Sequence, residues 1–231
     1  MSRTKFYDTA LEAVAGTADG ATVLVGGFGP AGQPVELVEA LIDSGARDLT
    51  LVSNNAGGGD TGLAALVRER RVAKVICSYP RQTDSWHFDA AYRNGHLELE
   101  LVPQGNLAER LRAGGAGIAA FFTPTGYGTS LAEGKETRTF DGRGHVLEHA
   151  IAGDLALVAA HRADELGNLV YRKTARNFGP VMLPAARVAV VQVDEVVPTG
   201  TLDPEAVVTP GIYVDRVVQV ARTLTPAGAP R

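Results

Sequence analysis

The chain has 231 residues, a length that suits one large α/β domain better than two small ones. Apolar residues make up 45% and charged residues 21%, and no apolar run approaches the roughly 18 residues of a membrane span. A net charge of −4 and a pI near 5.7 exclude the broad basic surface that nucleic-acid binding requires, so small molecules and other proteins are the expected partners. The single cysteine, Cys77, excludes an internal disulfide framework and a multi-cysteine metal site, and no bound metal is expected. Met1 to Lys5 lead into a polar stretch rather than a signal-peptide core, so the expected location is cytoplasmic.

Taken in chain order, short apolar or β-branched runs alternate with amphipathic segments. The first strand is expected at 22–25, followed by a glycine loop. Pro34 then sits where a first-turn proline is tolerated, Leu37, Val38, Leu41 and Ile42 make one apolar face, and Gly45 can close the helix. Further strands are expected at 49–52 and 74–79. After them Thr83 or Asp84 can cap a helix carrying Trp86, Phe88, Ala91 and Tyr92, ended by Gly95. A strand is expected at 97–102, and its residues 97–101 alternate as L-E-L-E-L, giving it one polar face. A short helix at 107–113 is expected to stop at Gly114-Gly115, and two more strands fall at 155–160 and 188–193. This alternation predicts a single α/β domain over 1–222, with an open, mostly parallel sheet flanked by helices. A flexible tail is expected from residue 223.

Glycine-rich segments follow the strands, where ligands bind in open α/β sheets. The sharpest is D-G-A-T-V-L-V-G-G-F-G-P-A-G-Q-P, residues 19–34. Its loop is Gly26, Gly27, Phe28, Gly29, Pro30, Ala31 and Gly32, whose backbone N–H groups can approach an anion without side-chain obstruction. Gly27, Gly29 and Gly32 also spell G-x-G-x-x-G. However, Gln33-Pro34 places the helix start after the fingerprint, and Asp48 precedes the next strand instead of ending it. His145-Val146-Leu147-Glu148-His149 reads formally as an inverted zinc-protease motif, but its glycine-flanked surroundings suit a turn and strand with exposed histidines. Cys77 reads as buried filler. Arg172, Lys173 and Arg176 read as a solvated basic cluster, with a CoA-phosphate or partner contact as the functional alternative.

Five blocks in order resemble family I CoA-transferases, specifically their A (alpha) chains. They are the glycine segment, Leu51-Val52-Ser53-Asn54-Asn55-Ala56-Gly57, Val102-Pro103-Gln104-Gly105-Asn106-Leu107-Ala108-Glu109-Arg110, Thr123-Pro124-Thr125-Gly126-Tyr127-Gly128-Thr129, and Tyr171-Arg172-Lys173-Thr174-Ala175-Arg176-Asn177-Phe178. The resemblance implies the CoA-transferase (sugar-phosphate isomerase-like) fold and a covalent acyl exchange through a glutamyl-CoA thioester. No cofactor would be held permanently; the coenzyme A thioester is a substrate. The nucleophilic glutamate would stand on a separate B (beta) subunit, since no glutamate here lies in the family's Ser-Glu-Asn-Gly context and Glu133-Gly134 is a loose echo. A heterodimer or heterotetramer is implied, inactive without its B chain. Asn54 and Gln104 match acyl-facing amides, and Gly26 to Gly32 match the segment assigned to CoA.

Residues 78–88, S-Y-P-R-Q-T-D-S-W-H-F, resemble the family members that use 3-oxoadipate, in the degradation of aromatic compounds, and differ from the acetoacetate type. Arg81 in this loop is the expected contact for the distal carboxylate of 3-oxoadipate. The same chemistry on acetoacetate or another short 3-oxoacid stays open. So do a non-catalytic ligand-binding regulator on this fold and a dinucleotide-dependent oxidoreductase.

Overall fold

The computed structural model describes residues 5–220. Its strands are β1 (Phe6–Tyr7), β2 (Thr22–Val25), β3 (Leu49–Ser53), β4 (Val72–Cys77), β5 (Glu98–Leu101) and β6 (Ala120–Thr123). They continue as β7 (Thr137–Phe140), β8 (Arg143–His149), β9 (Gly153–Asp164), β10 (Leu169–Val170), β11 (Ala186–Val197) and β12 (Arg216–Gln219). The helices are α1 (Ala10–Val14), α2 (Val35–Asp43), α3 (Leu63–Arg68), α4 (Trp86–Arg93), α5 (Gln104–Gly115) and α6 (Gly179–Met182).

Among the described residues the main sheet runs β1-β12-β11-β9-β2-β3-β4-β5, with β10 antiparallel to β9 and every other pairing parallel. All six expected strands are in it. Successive residues of the central strands serve opposite cores: Val23 and Val25 pack with α1 to α4, while Leu24 packs on the side of α5 and α6. Burial on both faces explains why these strands read as unbroken apolar runs. The L-E-L-E-L strand lies at the sheet edge. There Lys74 Nζ bridges Glu98 (2.9 Å) and Glu100 (3.0 Å), and Arg110 reaches Glu100 at 2.8 Å. Burial works to raise the Glu100 pKa, but its bonds to Arg110 and Lys74 win and hold it below the usual carboxylate value.

Helix ends depart from the sequence-based expectation in three places. Pro34 is the cap of α2 rather than its first residue, and it offers no side-chain bond. Gln192 on β11 supplies one instead, its Oε1 accepting from the Leu37 N–H at 3.2 Å. The cap of α4 is Ser85, not Thr83 or Asp84. Asp84 is held elsewhere, packed so closely on Gly58 that a Cβ there would fall 2.2 Å from its Oδ1. Helix α5 starts at Gln104 and runs through Gly114-Gly115. Those glycines do not stop the helix; they let it approach backbone. A Cβ on Gly114 would lie 2.1 Å from the Ile151 carbonyl oxygen, and one on Gly115 would lie 2.8 Å from Pro184 Cβ.

A second sheet, β6-β8-β7, is antiparallel and packs against α5; the sequence reading anticipates only the strand at 145–149, which falls in β8, and not the sheet. The H-x-x-E-H segment is β8, so His145 and His149 share one face and Glu148 takes the other. Glu148 is buried and accepts from Asn106 Nδ2 (3.2 Å) and Lys135 Nζ (2.8 Å). No cluster of metal-binding side chains occurs among the described residues, and none of their helices is long and apolar enough to cross a membrane. The tail expected from residue 223 lies outside the described residues.

Two outcomes follow from this packing. Gly114→Ala adds helix propensity worth about 1 kcal/mol but drives a methyl into a backbone carbonyl, so a net loss of about 1–3 kcal/mol is expected in urea unfolding. Cys77 is fully buried and its thiol is pushed up to about 12 by desolvation. It should therefore resist a thiol reagent at neutral pH in the folded protein and react stoichiometrically after denaturation.

Candidate active site

Strand register builds the site. Ser53, Cys77 and Leu101 lie side by side, each the last residue of its strand, on β3, β4 and β5. Asn54 and Ser78 follow their strands directly, Gln104 comes three residues after Leu101, and the three polar residues meet. Asn54 Nδ2 donates to Ser78 Oγ at 3.0 Å and to Gln104 Oε1 at 3.2 Å. The Ser78 and Tyr79 N–H groups both donate to the Asn54 carbonyl, at 3.2 and 3.0 Å. Asn55 secures the turn from the other side, its Oδ1 accepting from the Gly57 N–H at 2.9 Å.

Beside this cluster is an open cavity of about 360 Å³. Asn54, Asn55, Ser78 and Gln104 form its polar side, Phe28 and Gly29 enter from the glycine loop, and Tyr79 and Gln82 from the loop after β4. Among the described residues no charged side chain lines it. The amides divide their work. Asn54 spends both of its N–H hydrogens inside the cluster, while the Nε2 of Gln104 has no partner among the described residues. Asn54 therefore orients, and Gln104 presents the free donor. Gln104 is also the first residue of α5, whose cap, Pro103, makes no side-chain bond, so the positive end of that helix opens at the cavity.

The glycine loop is shaped by internal bonds. Gly26 N–H extends the sheet by donating to the Leu157 carbonyl (2.9 Å), and Phe28 and Ala31 exchange backbone bonds at 3.0 and 3.1 Å across Gly29-Pro30. Asn177 grips both strands of this hairpin, its Oδ1 accepting from Gly27 N–H and its Nδ2 donating to the Ala31 carbonyl, each at 3.0 Å. Gly32 has φ +71°, and a Cβ on it would fall 2.4 Å from the Ala175 carbonyl oxygen, so only glycine fits. Gly26, Gly27, Phe28 and Ala31 thus spend their N–H groups within the chain. The N–H groups of Gly29 and Gly32 are uncommitted among the described residues, and Gly29 is the one at the cavity. As expected from Gln33-Pro34, α2 begins only after that pair.

Arg81 sits apart from this group. Its Nε pairs with Asp89 Oδ1 at 2.6 Å, on the first turn of α4, and it is not among the residues lining the cavity. Arg172, Lys173 and Arg176 are exposed around the short turn before Asn177 and form no ion pair among the described residues. Asn55, Ser78, Gln82 and Asn177 fall inside segments that the resemblance covers, but nothing in the sequence singles them out within those segments. Position within two residues of a strand end is the signal that would have found Asn55 and Ser78.

Residues 7–220 match the family described as Coenzyme A transferase. The A subunit of the 3-oxoadipate CoA-transferase of Pseudomonas putida is 61% identical over 217 residues, covering 94% of each chain. The A subunit of a succinyl-CoA:3-ketoacid coenzyme A transferase of Xanthomonas campestris pv. campestris (strain B100) is 54% identical over 215 residues, 93% of this chain and 88% of that one. Among solved structures, an acyl-CoA transferase from E. coli O157:H7, in a thioester complex with CoA, superposes with a TM-score of 0.87 at 25% identity. That match takes in 99% of this chain and 52% of the other. Sequence and fold agree, and the chain belongs to the coenzyme A transferase family.

Proposed function

We propose that this chain is the A subunit of a two-chain cytoplasmic enzyme that moves CoA from succinyl-CoA to 3-oxoadipate, with the nucleophilic glutamate on the B subunit. The observation that carries the reading is the make-up of the cavity: oriented amides and an uncapped helix start, with no carboxylate among its lining residues. Such a site can stabilise charge but offers no carboxylate of its own for the covalent transfer. The half-length match to the E. coli transferase agrees, since the remainder of that protein has no counterpart in this chain. Phe28 and Tyr79 are exposed at the cavity mouth, which suits a face that a partner covers. The acceptor is read from the 61% identity to a 3-oxoadipate enzyme and the loop at 78–88. The 54% identity to a 3-ketoacid enzyme makes acetoacetate the second reading.

The chemistry runs in four attacks. A B-subunit glutamate oxygen attacks the thioester carbonyl of succinyl-CoA, the C–S bond breaks, and a mixed anhydride and CoA thiolate form. The thiolate attacks the glutamyl carbonyl, releasing succinate and leaving glutamyl-CoA. The acceptor carboxylate attacks that thioester, giving a new anhydride and thiolate, and the thiolate then takes the acceptor's acyl carbon and frees the glutamate. Each attack places negative charge on a former carbonyl oxygen. The Gln104 Nε2 donor and the start of α5 are the groups of this chain that meet it. Gly29 N–H and the rest of the loop through Gly32 would contact CoA.

Co-expression with the B chain should give strong transfer from succinyl-CoA to 3-oxoadipate, with neither chain active alone. Preferential transfer to acetoacetate would support the second reading, and no transfer from a well-formed complex would overturn both. Gln104→Ala is expected to lower kcat about a hundredfold, the cost of one oxyanion donor near 3 kcal/mol. Asn54→Ala should do comparable damage, and the double variant should lose far less than the product of the two, because Asn54 acts through Gln104. Full additivity in that cycle would contradict the division of roles.

A further inference from the structure

Arg81 and Gln82 are neighbours in sequence but not in surroundings. Arg81 is held by Asp89, whereas Gln82 is half-buried and lines the cavity together with Asn54 and Gln104. The backbone at Gln82 is fixed. Its N–H donates to Ser85 Oγ at 2.7 Å, and the Ser85 hydroxyl donates onward to the Gly57 carbonyl at 2.9 Å. Ser85 is itself buried, so this strut ties the loop after β4 to the loop after β3 away from solvent. The side-chain amide of Gln82, by contrast, has no hydrogen-bond partner among the described residues. It is a donor aimed at nothing within the chain, in a cavity whose described lining carries no charge.

We infer that Gln82, rather than Arg81, is the specificity-determining residue of this chain for the distal carboxylate of a dicarboxylic acceptor. The inference rests on the proposed function and refines it. A neutral N–H donor suits the task physically. A dicarboxylate presents two anionic ends, and a guanidinium in the cavity would compete for the end that must react. An amide holds the distal end with a charge-assisted bond while leaving the reacting end to the nucleophile. Preference for a dicarboxylate over a monocarboxylate then follows from one unpaired donor that only the longer acid satisfies.

The test compares the wild-type A/B complex with Gln82→Ala, Gln82→Glu and Arg81→Ala, reading the ratio of kcat/KM for 3-oxoadipate to that for acetoacetate. In a two-half exchange the acceptor's kcat/KM reports only its own half-reaction, so effects on succinyl-CoA cancel. Gln82→Ala should lower the ratio about tenfold, and Gln82→Glu, which sets a carboxylate against a carboxylate, about a hundredfold. Co-elution with the B chain and thermal melting check assembly; should the Glu variant fail to assemble, the Ala variant decides. A ratio unchanged by the Gln82 substitutions, with wild type using 3-oxoadipate, overturns this inference alone. A loss in Arg81→Ala larger than in either Gln82 variant returns the role to Arg81. A wild-type complex that ignores 3-oxoadipate overturns the proposed function and this inference with it.

Discussion

The site depends on the side-chain amide of Asn54. Its two N–H hydrogens hold Ser78 and Gln104, and its backbone carbonyl holds the loop after β4. Segments that lie 24 and 50 residues further along the sequence are thereby fixed at one point. Asn54 is about 5% exposed, so these bonds face little competition from water, and an unpaired amide there would cost more than the bonds return at a surface. Sheet register makes the arrangement possible. With Ser53, Cys77 and Leu101 in line, residues just past the strand ends meet with no strain required of any of them.

A second clasp works on the same principle. Asn177 reaches across 150 residues to hold the glycine hairpin by a donor and an acceptor at once. The loop is therefore rigid, and its glycines serve mainly to let backbone approach its neighbours: Gly32 against Ala175, Gly27 against Gln33. A composition that suggests a loop bristling with free N–H groups narrows, in the folded chain, to Gly29 and Gly32. Preorganisation of this kind means that little ordering cost remains when a ligand binds beside the loop.

The sequence displayed the main sheet because each central strand is apolar on both faces, and it displayed the parallel topology because helices separate the strands. It hid the pairing of the β6-β8-β7 sheet, of which β7 is exposed along its whole length and carries no apolar run to mark it. It also hid the purpose of Gly114-Gly115. Two glycines after an amphipathic stretch read locally as a stop, and only the approach of Ile151 and Pro184 reveals them as packing residues inside α5. Site residues divide in the same way. Asn54 and Gln104 were visible through resemblance, and the glycine loop through composition. The pairing of Arg81 with Asp89, and the freedom of Gln82, are consequences of how α4 docks; neighbouring positions in a loop carry no mark of which one turns inward.

Charge placement ties these observations to catalysis. Three ion pairs lie outside the cavity lining, Arg81 with Asp89, Arg110 with Glu100, and Lys135 with Glu148, and the exposed Arg172, Lys173 and Arg176 also lie outside it. What remains at the cavity is dipolar: amides, a hydroxyl and a helix start. For a reaction whose substrates and products all carry carboxylates, this matters. A fixed cation would bind every ground-state carboxylate firmly, lowering KM without speeding the exchange, and would hold the released acid as tightly as the incoming one. Oriented dipoles gain most where charge concentrates on a single oxygen in the tetrahedral intermediates. Keeping charge out of the cavity lining therefore favours the transition state over the anionic species that bracket it. The cavity lining among the described residues thus offers dipoles that can meet a developing charge, and no carboxylate.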